Sequence, residues 1–370
     1  MDIFILIKLK KGYLLVKIKK PILIVLGEPN SVFIEILSKV LKKFSIKKKI
    51  KNPIILIGSK KLILSQLKIL KNKLNFIIID RNKCNFKKLK NKIYLIDVEY
   101  NFTKAFETIS PNSRKYISRC FEESIHLLNS KISNMLINGP VSKKKFLQNK
   151  YPGITEYIFD KSKRKISKNS VMLIYNKRLS VSPITTHIPI KDVNKKINQK
   201  NIINNVSIIN NFYLKNIKTK PKFALLGLNP HCETKSKFNE EHLIIKPAIQ
   251  KLKKKKINVS GPFSADTFFL NNNISNFNCI IGMYHDQVLT PFKTIFGFDA
   301  SNITLGLPFL RMSVDHGPNE NMLGKNKSNT EKSNLSPKIL TSSDACSCSS
   351  PNFPAPSGTP GPLVSISINV

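Results

Sequence analysis

Acidic residues are scarce in this chain of 370 residues, which has 22 aspartates and glutamates against 62 lysines and arginines and a formal net charge of +40. A charge of this size can favour nucleic acids or anionic membrane surfaces as partners. The basic residues of a nucleic-acid-binding surface are clustered, however. The lysines of this chain are instead spread along the sequence beside Ile, Asn and Phe. Nucleic acid is therefore the less favoured partner, although a basic surface would attract phosphorylated small molecules.

Long uninterrupted apolar segments are also absent. Residues 1–20 are mostly apolar, but six lysines interrupt them: Lys8, Lys10, Lys11, Lys17, Lys19 and Lys20. This segment therefore contains neither a membrane span of about 20 residues nor the apolar core of a signal peptide. We interpret residues 1–20 as an N-terminal extension that adds a strand or reflects an upstream start. No membrane partner is expected.

Two kinds of short motif are missing as well. No CxxC pair or repeating spacing occurs among the six cysteines, which are Cys84, Cys120, Cys232, Cys279, Cys346 and Cys348. This argues against a disulfide framework or a zinc knuckle and indicates the reducing cytoplasm. No G-x-G-x-x-G follows the first predicted strand and no G-x-x-x-x-G-K-[ST] is present, so a standard Rossmann or P-loop nucleotide site is not predicted.

The length and a hydrophobic content of 41% predict two domains or one large α/β unit. Short apolar runs predict buried strands at residues 22–26, 54–57, 76–79, 135–137, 171–174, 223–226 and 279–281. Helical periodicity occurs at Phe33, Ile36, Leu37, Val40 and Leu41, with Asn30 and Ser31 as possible caps, and again at Ile117, Phe121, Ile125 and Leu128. This alternation predicts an α/β fold with a largely parallel sheet. Residues 336–370, rich in Ser, Pro and Gly, predict a disordered tail.

Three of the six histidines lie in polar contexts at the ends of predicted strands: His187, His231 and His285. Open α/β sheets bind ligands at strand ends, and three imidazoles with an open position make a site for a catalytic divalent metal. For any one of them, a hydrogen-bonded structural role is as good an interpretation. His316, which lies beyond a further apolar run, could also line a site.

Further polar residues complete the candidate site. Lys293, Asn302 and Arg311 lie on a predicted loop-strand-loop passage, and a cation, an amide and a guanidinium suit a phosphate monoester. Two carboxylates, Asp266 and Asp286, could complete a metal shell, orient a ligand or act in catalysis, although an N-cap is the commoner role for Asp266.

These residues lie in motifs that resemble the 4-hydroxythreonine-4-phosphate dehydrogenase family of pyridoxal phosphate biosynthesis. The resemblance covers about residues 21–325 and five long motifs in order: TTHIPIKDV, GLNPHCE, VSGPFSADTFF, MYHDQVLTPFK and NITLGLPFLRMSVDHG. Weaker similarities occur in VLGEPN, INGPVSKK and YPGITE. Ile154 stands where the family's motif has a histidine that contacts substrate, and an isoleucine side chain makes no hydrogen bond.

The resemblance implies a fold similar to isocitrate and isopropylmalate dehydrogenases, with two α/β/α domains around a cleft. The implied first domain spans residues 21–138 and is completed by 301–335, and the second spans residues 139–300. It further implies a homodimer in which His187, His231 and His285 hold the metal, with one ligand donated by the partner subunit. Thr155, Lys293, Asn302 and Arg311 would bind the phosphorylated substrate.

The implied reaction is metal-dependent oxidation of 4-phosphohydroxy-L-threonine by NAD or NADP, followed by loss of CO2 to give 3-amino-2-oxopropyl phosphate. The metal would be Zn, Co, Mg or Mn, and the residues that bind the nicotinamide cofactor stay unassigned. Two alternatives stay open. One is a dehydrogenase of another 4-phosphorylated hydroxy acid, and the other is an inactive or nucleic-acid-binding protein with the same fold.

Overall fold

A computed structural model describes residues 4–9, 12–17, 20–46, 50, 52–148, 150–151, 153–162, 170–232, 239–297, 300–313, 317–328 and 337–340. Its strands are β1 (Phe4–Leu9), β2 (Gly12–Lys17), β3 (Ile22–Val25), β4 (Ile54–Gly58), β5 (Ile77–Ile78), β6 (Ile93–Asp97), β7 (Met135–Asn138), β8 (Val171–Tyr175), β9 (Ser180–Thr185), β10 (Phe223–Leu226), β11 (Val259–Phe263), β12 (Cys279–Tyr284), β13 (Ser301–Leu305), β14 (Leu310–Ser313) and β15 (Pro337–Leu340). Its α-helices are α1 (Phe33–Ile46), α2 (Lys60–Ile69), α3 (Ser113–Asn129), α4 (Ile154–Lys161), α5 (Val193–Lys196), α6 (Gln199–Phe212), α7 (Lys246–Lys254), α8 (Ala265–Phe268), α9 (Asn271–Ile274) and α10 (His285–Phe296).

One large mixed sheet dominates the described part of the chain. Its strand order is β11-β10-β12-β9-β8-β13-β14-β7-β3-β4-β6-β5. The strands from β11 to β9 are parallel, as are those from β14 to β5, and the β9-β8, β8-β13 and β13-β14 pairs between them are antiparallel. The predicted α/β fold with a largely parallel sheet is confirmed.

The sequences of the central parallel strands are continuously apolar because both faces of the sheet are covered. All residues of β3 and β4 are buried, and Leu23 and Ile55 are fully enclosed. Burying one such side chain contributes about 1.5–3 kcal/mol. The predicted helices are also present as α1 and α3, and the Ser31 hydroxyl accepts a hydrogen bond from the N–H of Phe33, as expected of a capping residue.

The run at residues 76–79 is the exception among the predicted buried strands. Only Ile77 and Ile78 form a strand, β5, which lies at the edge of the sheet and pairs with β6 alone. Their side chains are 44% and 48% exposed. The prediction of a buried strand was therefore wrong here, because an edge strand has a neighbour on one side only.

Segments at both ends of the chain form a small separate sheet in the order β15-β1-β2. An extra strand was one of the two interpretations of residues 1–20, and the structure has the antiparallel pair β1 and β2 there. Four residues of the predicted disordered tail form β15, which pairs with β1; residues 341–370 and His316 lie outside the described residues.

The predicted domain boundaries fall at the end of β7, which is Asn138, and the start of β13, which is Ser301. The latter strand pairs with β8 on one side and β14 on the other, and the division into two domains stays a prediction. No helix among the described residues is long and apolar enough to cross a membrane.

Candidate active site

The three candidate histidines lie at one edge of the sheet. Strands β10, β12 and β9 are parallel neighbours, so their carboxyl ends meet at that edge. His187 closely follows β9, His285 directly follows β12 as the first residue of α10, and His231 lies in the turn Pro230–Cys232 after β10. The predicted placement of all three at strand ends is confirmed.

Two of these histidines come together within one chain. The ring centroids of His187 and His285 are 5.8 Å apart, with an angle of 39° between the ring planes. Gly153, just before α4, lies against His187, since a Cβ added there would lie 3.3 Å from Nδ1 of His187 and 2.7 Å from Oε2 of Glu156. Two adjacent imidazoles at a strand edge are suitable ligands for a divalent transition metal.

His231 is the third candidate ligand. Its side chain is 73% exposed, and its Nδ1 lies 3.5 Å from Oδ2 of Asp266. Among the described residues of one chain, no group of three or more His, Cys, Asp or Glu side chains could hold a metal ion. A single chain therefore brings together two of the three predicted histidine ligands.

Each candidate carboxylate contacts one of the histidines. Oδ1 of Asp286 lies 2.7 Å from Nδ1 of His285, and since an ionised carboxylate can only accept, this hydrogen bond places a proton on Nδ1 and leaves the Nε2 lone pair for a metal. Asp266 lies in the first turn of α8, after its N-cap Ser264. Hydrogen bonds from the Ser264 hydroxyl and the Thr267 N–H lower the pKa of Asp266.

Arg311 is the centre of a second group of predicted residues. Its side chain is fully buried, its Nε donates to Oδ1 of Asn138, and its Nη1 donates to the hydroxyls of Thr155 and Thr304, each at 2.9 Å. Burial lowers the pKa of Arg311 to about 10 while the charge of Glu156 opposes this, so the guanidinium is a cation at neutral pH. The structure thus places the predicted residues Thr155 and Arg311 in direct contact.

Nη2 of Arg311 is buried without a hydrogen-bond partner among the described atoms. A buried donor without a partner costs about 1–3 kcal/mol, and more when it is charged. A ligand with an anionic oxygen would supply the acceptor that this donor lacks.

The two remaining substrate candidates lie on different elements. Asn302 is on β13, two residues before Thr304 and hence on the same face of the sheet, and its Oδ1 is also buried without a partner in the described structure. Lys293 lies inside α10, beyond Pro291. The prediction of a loop for Lys293 was wrong, because the helix continues past the proline to Phe296. The prediction of a loop for Arg311 was also wrong, since Arg311 lies in β14.

Sequence reasoning missed several residues of the site. Asn138 and Thr304 hold Arg311, and the only sequence signal for Asn138 was its place after a strand in INGPVSKK. Apart from these contacts, Glu28 in the segment VLGEPN is a buried carboxylate that is 2% exposed. Burial raises its pKa to about 7, against hydrogen bonding from Ser113, and its Oε1 has no partner among the described atoms.

Comparisons with known proteins agree on one family. The family model described as "Pyridoxal phosphate biosynthetic protein PdxA" matches residues 49–336. The chain is 37% identical to a 4-hydroxythreonine-4-phosphate dehydrogenase of Sulfurihydrogenibium sp. (strain YO3AOP1) over 82% of this chain and 92% of that protein. It is 33% identical to the enzyme of that name from Aquifex aeolicus (strain VF5), over 85% and 95% of the two chains. A putative 4-hydroxythreonine-4-phosphate dehydrogenase structure from Salmonella typhimurium superposes with a TM-score of 0.69 and 27% identity, over 85% of this chain and 96% of that chain.

Proposed function

This chain belongs to the pyridoxal phosphate biosynthetic protein PdxA family, and we propose that it oxidises 4-phosphohydroxy-L-threonine with NAD or NADP as hydride acceptor. The secondary alcohol becomes a ketone, its hydride moves to the nicotinamide, and its hydroxyl proton is released. The resulting 2-amino-3-oxo-4-phosphooxybutanoate then loses CO2 and takes up a proton to give 3-amino-2-oxopropyl phosphate.

The observation that carries the proposal is the buried guanidinium of Arg311, whose Nη2 is buried and has no partner among the described atoms. A phosphate monoester supplies the charge and acceptor oxygens that this group needs. Thr155, already bonded to Arg311, and Asn302 and Lys293 are the further phosphate and substrate contacts.

The donor set also fits a divalent metal, taken from Zn, Co, Mg and Mn. His187 and His285 are adjacent in one chain, and Asp286 fixes the proton of His285 on Nδ1. The third ligand would be His231 of a second copy in a homodimer, which fits its exposure and its absence from the pair of His187 and His285. A metal held by these histidines would supply the positive charge that polarises the substrate hydroxyl and favours loss of its proton.

The protein's own groups orient the substrate and accept its proton. Arg311 and its neighbours hold the phosphate group of the substrate, so that the hydroxyl carbon lies near His187 and His285, at the carboxyl ends of β9 and β12. We assign the proton-accepting role to Asp266 or Asp286, each of which already contacts a metal-site histidine. Correct placement of bound reactants of this kind contributes a large part of a rate enhancement.

The proposal is tested by measuring the formation of NADH or NADPH from NAD or NADP at 340 nm. The assay contains purified protein, 4-phosphohydroxy-L-threonine and a divalent metal, with and without a chelator. The proposal predicts reduction that the chelator abolishes, and no reduction with 4-hydroxy-L-threonine that lacks the phosphate. A second candidate is a dehydrogenase of another 4-phosphorylated hydroxy acid, favoured by the apolar Ile154 beside Thr155. Turnover of 4-phosphoerythronate in place of the threonine derivative would support that candidate and overturn the first.

A further inference from the structure

Glu241 ties down the turn that carries His231. It is completely buried at the start of the π-helical turn Glu241–Ile245 that leads into α7. Its Oε1 accepts the N–H groups of Leu228 at 2.7 Å and Asn229 at 2.9 Å, and its Oε2 accepts the side-chain amide of Asn229 at 2.8 Å. Three donors from two successive residues thus converge on one carboxylate, directly before the turn Pro230–Cys232.

The turn itself has a backbone conformation that needs support. His231 and Cys232 both have φ of 56°, in the left-handed region that residues with a Cβ rarely occupy, and still more rarely in succession. Such conformations persist where surrounding contacts hold them, and they cluster at functional sites. Within the turn, the N–H of Cys232 donates to the carbonyl of Asn229 over 3.2 Å, so Asn229 links the carboxylate to the strained residues.

The same turn is fixed to the helix of His285. Gln287, in the first turn of α10, donates from Nε2 to the carbonyl of Gly227 and accepts the N–H of Met283 at Oε1, each at 2.7 Å. Gly227 is therefore held relative to the His285 end of β12, and Glu241 fixes the two residues that follow Gly227. The position of the turn that carries His231 depends on these two anchors.

We propose that Glu241 is a positioning residue for the metal site, and that its carboxylate aims His231 out of its own chain toward the His187 and His285 pair of a second copy. This inference rests on the proposed function, since it assumes a metal shared by three histidines. Glu241 has no part in binding metal or substrate, because its two oxygens are occupied by the turn. It acts through the turn and through His231.

The test is a titration with Co²⁺ alone, followed by the visible spectrum of the bound ion, which depends on the number and geometry of its ligands. Glu241→Gln keeps the side-chain shape, but its amide N–H2 faces the amide N–H2 of Asn229, so one hydrogen bond becomes a contact between two donors. We expect Co²⁺ affinity to fall about 10-fold or more, as for other residues that orient metal ligands. The spectrum should shift toward that of His231→Ala.

Glu240→Gln is the matched control, since Glu240 is the preceding acid and contacts the same Asn229 amide at 2.9 Å without reaching the backbone of the turn. We expect its Co²⁺ affinity and spectrum to match those of the unaltered protein. Asn229→Ala is the second variant, because it removes the Asn229 side chain and leaves the two backbone N–H groups paired with Glu241. It should shift the spectrum in the same direction as Glu241→Gln but less far.

The outcomes separate the two claims. One outcome is that His231→Ala weakens Co²⁺ binding, whereas Glu241→Gln binds Co²⁺ like the unaltered protein and has a melting temperature that shows it to be folded. The positioning role of Glu241 is then overturned and the metal site stands. If His231→Ala itself leaves Co²⁺ binding unchanged, the shared metal site of the proposed function fails. Should Glu241→Gln not fold, Asn229→Ala decides: a shifted spectrum supports the positioning role, and an unchanged one overturns it.

Discussion

Nη1 of Arg311 donates a hydrogen bond to the hydroxyl of Thr155 over 2.9 Å, between residues 156 positions apart in the sequence. The bond joins β14 to the first turn of α4, and the guanidinium keeps a further N–H group for a ligand. Arg311→Lys would retain the positive charge but lose the planar guanidinium, whose N–H donors have a fixed geometry. We expect kcat/KM for the phosphorylated substrate to fall about 100-fold, and the inhibition constant of inorganic phosphate to rise in parallel. A variant with unchanged kcat/KM would remove Arg311 from the substrate site.

Asn138 holds Arg311 from the neighbouring strand β7 through its Oδ1. Asn138→Ala leaves the Nε of a buried arginine without this acceptor, which costs about 1–3 kcal/mol and lets the guanidinium tilt. We expect KM for the phosphorylated substrate to rise about 10-fold with a smaller change in kcat. Asn82→Ala is the control, because Asn82 accepts from Nε of Arg81 at an exposed position; equal effects of the two variants would contradict a site-specific role.

The carboxyl of Glu28 is the group from which we predict a pH-dependent contribution to stability. Burial raises its pKa from 4.5 to about 7, so the folded chain favours the protonated form. The contribution of the protonated Glu28 carboxyl to the free energy of unfolding is fully present below pH 4.5. It falls as the pH rises from 4.5 to about 7 and is lost above about pH 7. Glu28→Gln should therefore stabilise the protein relative to the unaltered chain at pH 8, by up to about 3 kcal/mol.

Urea unfolding of both proteins at pH 5 and at pH 8 measures this difference. The prediction requires the gain in unfolding free energy from Glu28→Gln to be larger at pH 8 than at pH 5. A difference that does not change with pH would show that Glu28 titrates near its ordinary value in the folded protein.

Glu35 and Lys39 on α1 fasten the segment that follows β14. Oε1 of Glu35 accepts the N–H of Ser328 at 2.6 Å and Nζ of Lys39 at 2.8 Å, and that Nζ also donates to the carbonyls of Asn326 and Ser328 at 3.0 Å. Glu35 is 2% exposed, so Lys39→Met leaves a buried carboxylate with one partner fewer. We expect a loss of about 1–3 kcal/mol in the free energy of unfolding and faster amide exchange at Ser328.

Lys42→Met is the matched control, because Lys42 is exposed on the same helix and the substitution removes the same charge. It should change the free energy of unfolding by less than about 0.5 kcal/mol. Equal losses in the two variants would mean that the charge of the helix, and not the fastening of residues 326–328, sets the stability.

Local patterns predicted the strands because parallel strands covered on both faces are continuous runs of Ile, Leu and Val. The same rule failed for Ile77 and Ile78, since an apolar run does not say whether a strand lies inside a sheet or at its edge. The prediction of a loop for Lys293 was wrong for a different reason, since α10 extends through Pro291 to Phe296.

The candidate site was predictable in its residue types and only partly in its geometry. His187, His231 and His285 could be placed at strand ends from the polar, turn-like contexts in which they occur. The contacts of Arg311 with Asn138 and Thr155 join residues 173 and 156 positions apart, and no local pattern encodes such separations. The left-handed turn at His231 depends on Glu241, whose three hydrogen bonds come from the tertiary fold.

The most direct test of the shared active site mixes two inactive subunits. Differently tagged His231→Ala and His285→Ala chains are co-expressed, and the heterodimer is purified through both tags and assayed for metal-dependent reduction of NAD or NADP with 4-phosphohydroxy-L-threonine. Each variant alone should be inactive. In the heterodimer, His231 of one chain completes the His187 and His285 pair of the other, which restores one of two sites and about half of the activity of the unaltered dimer. A folded heterodimer without activity would contradict a site shared between two chains.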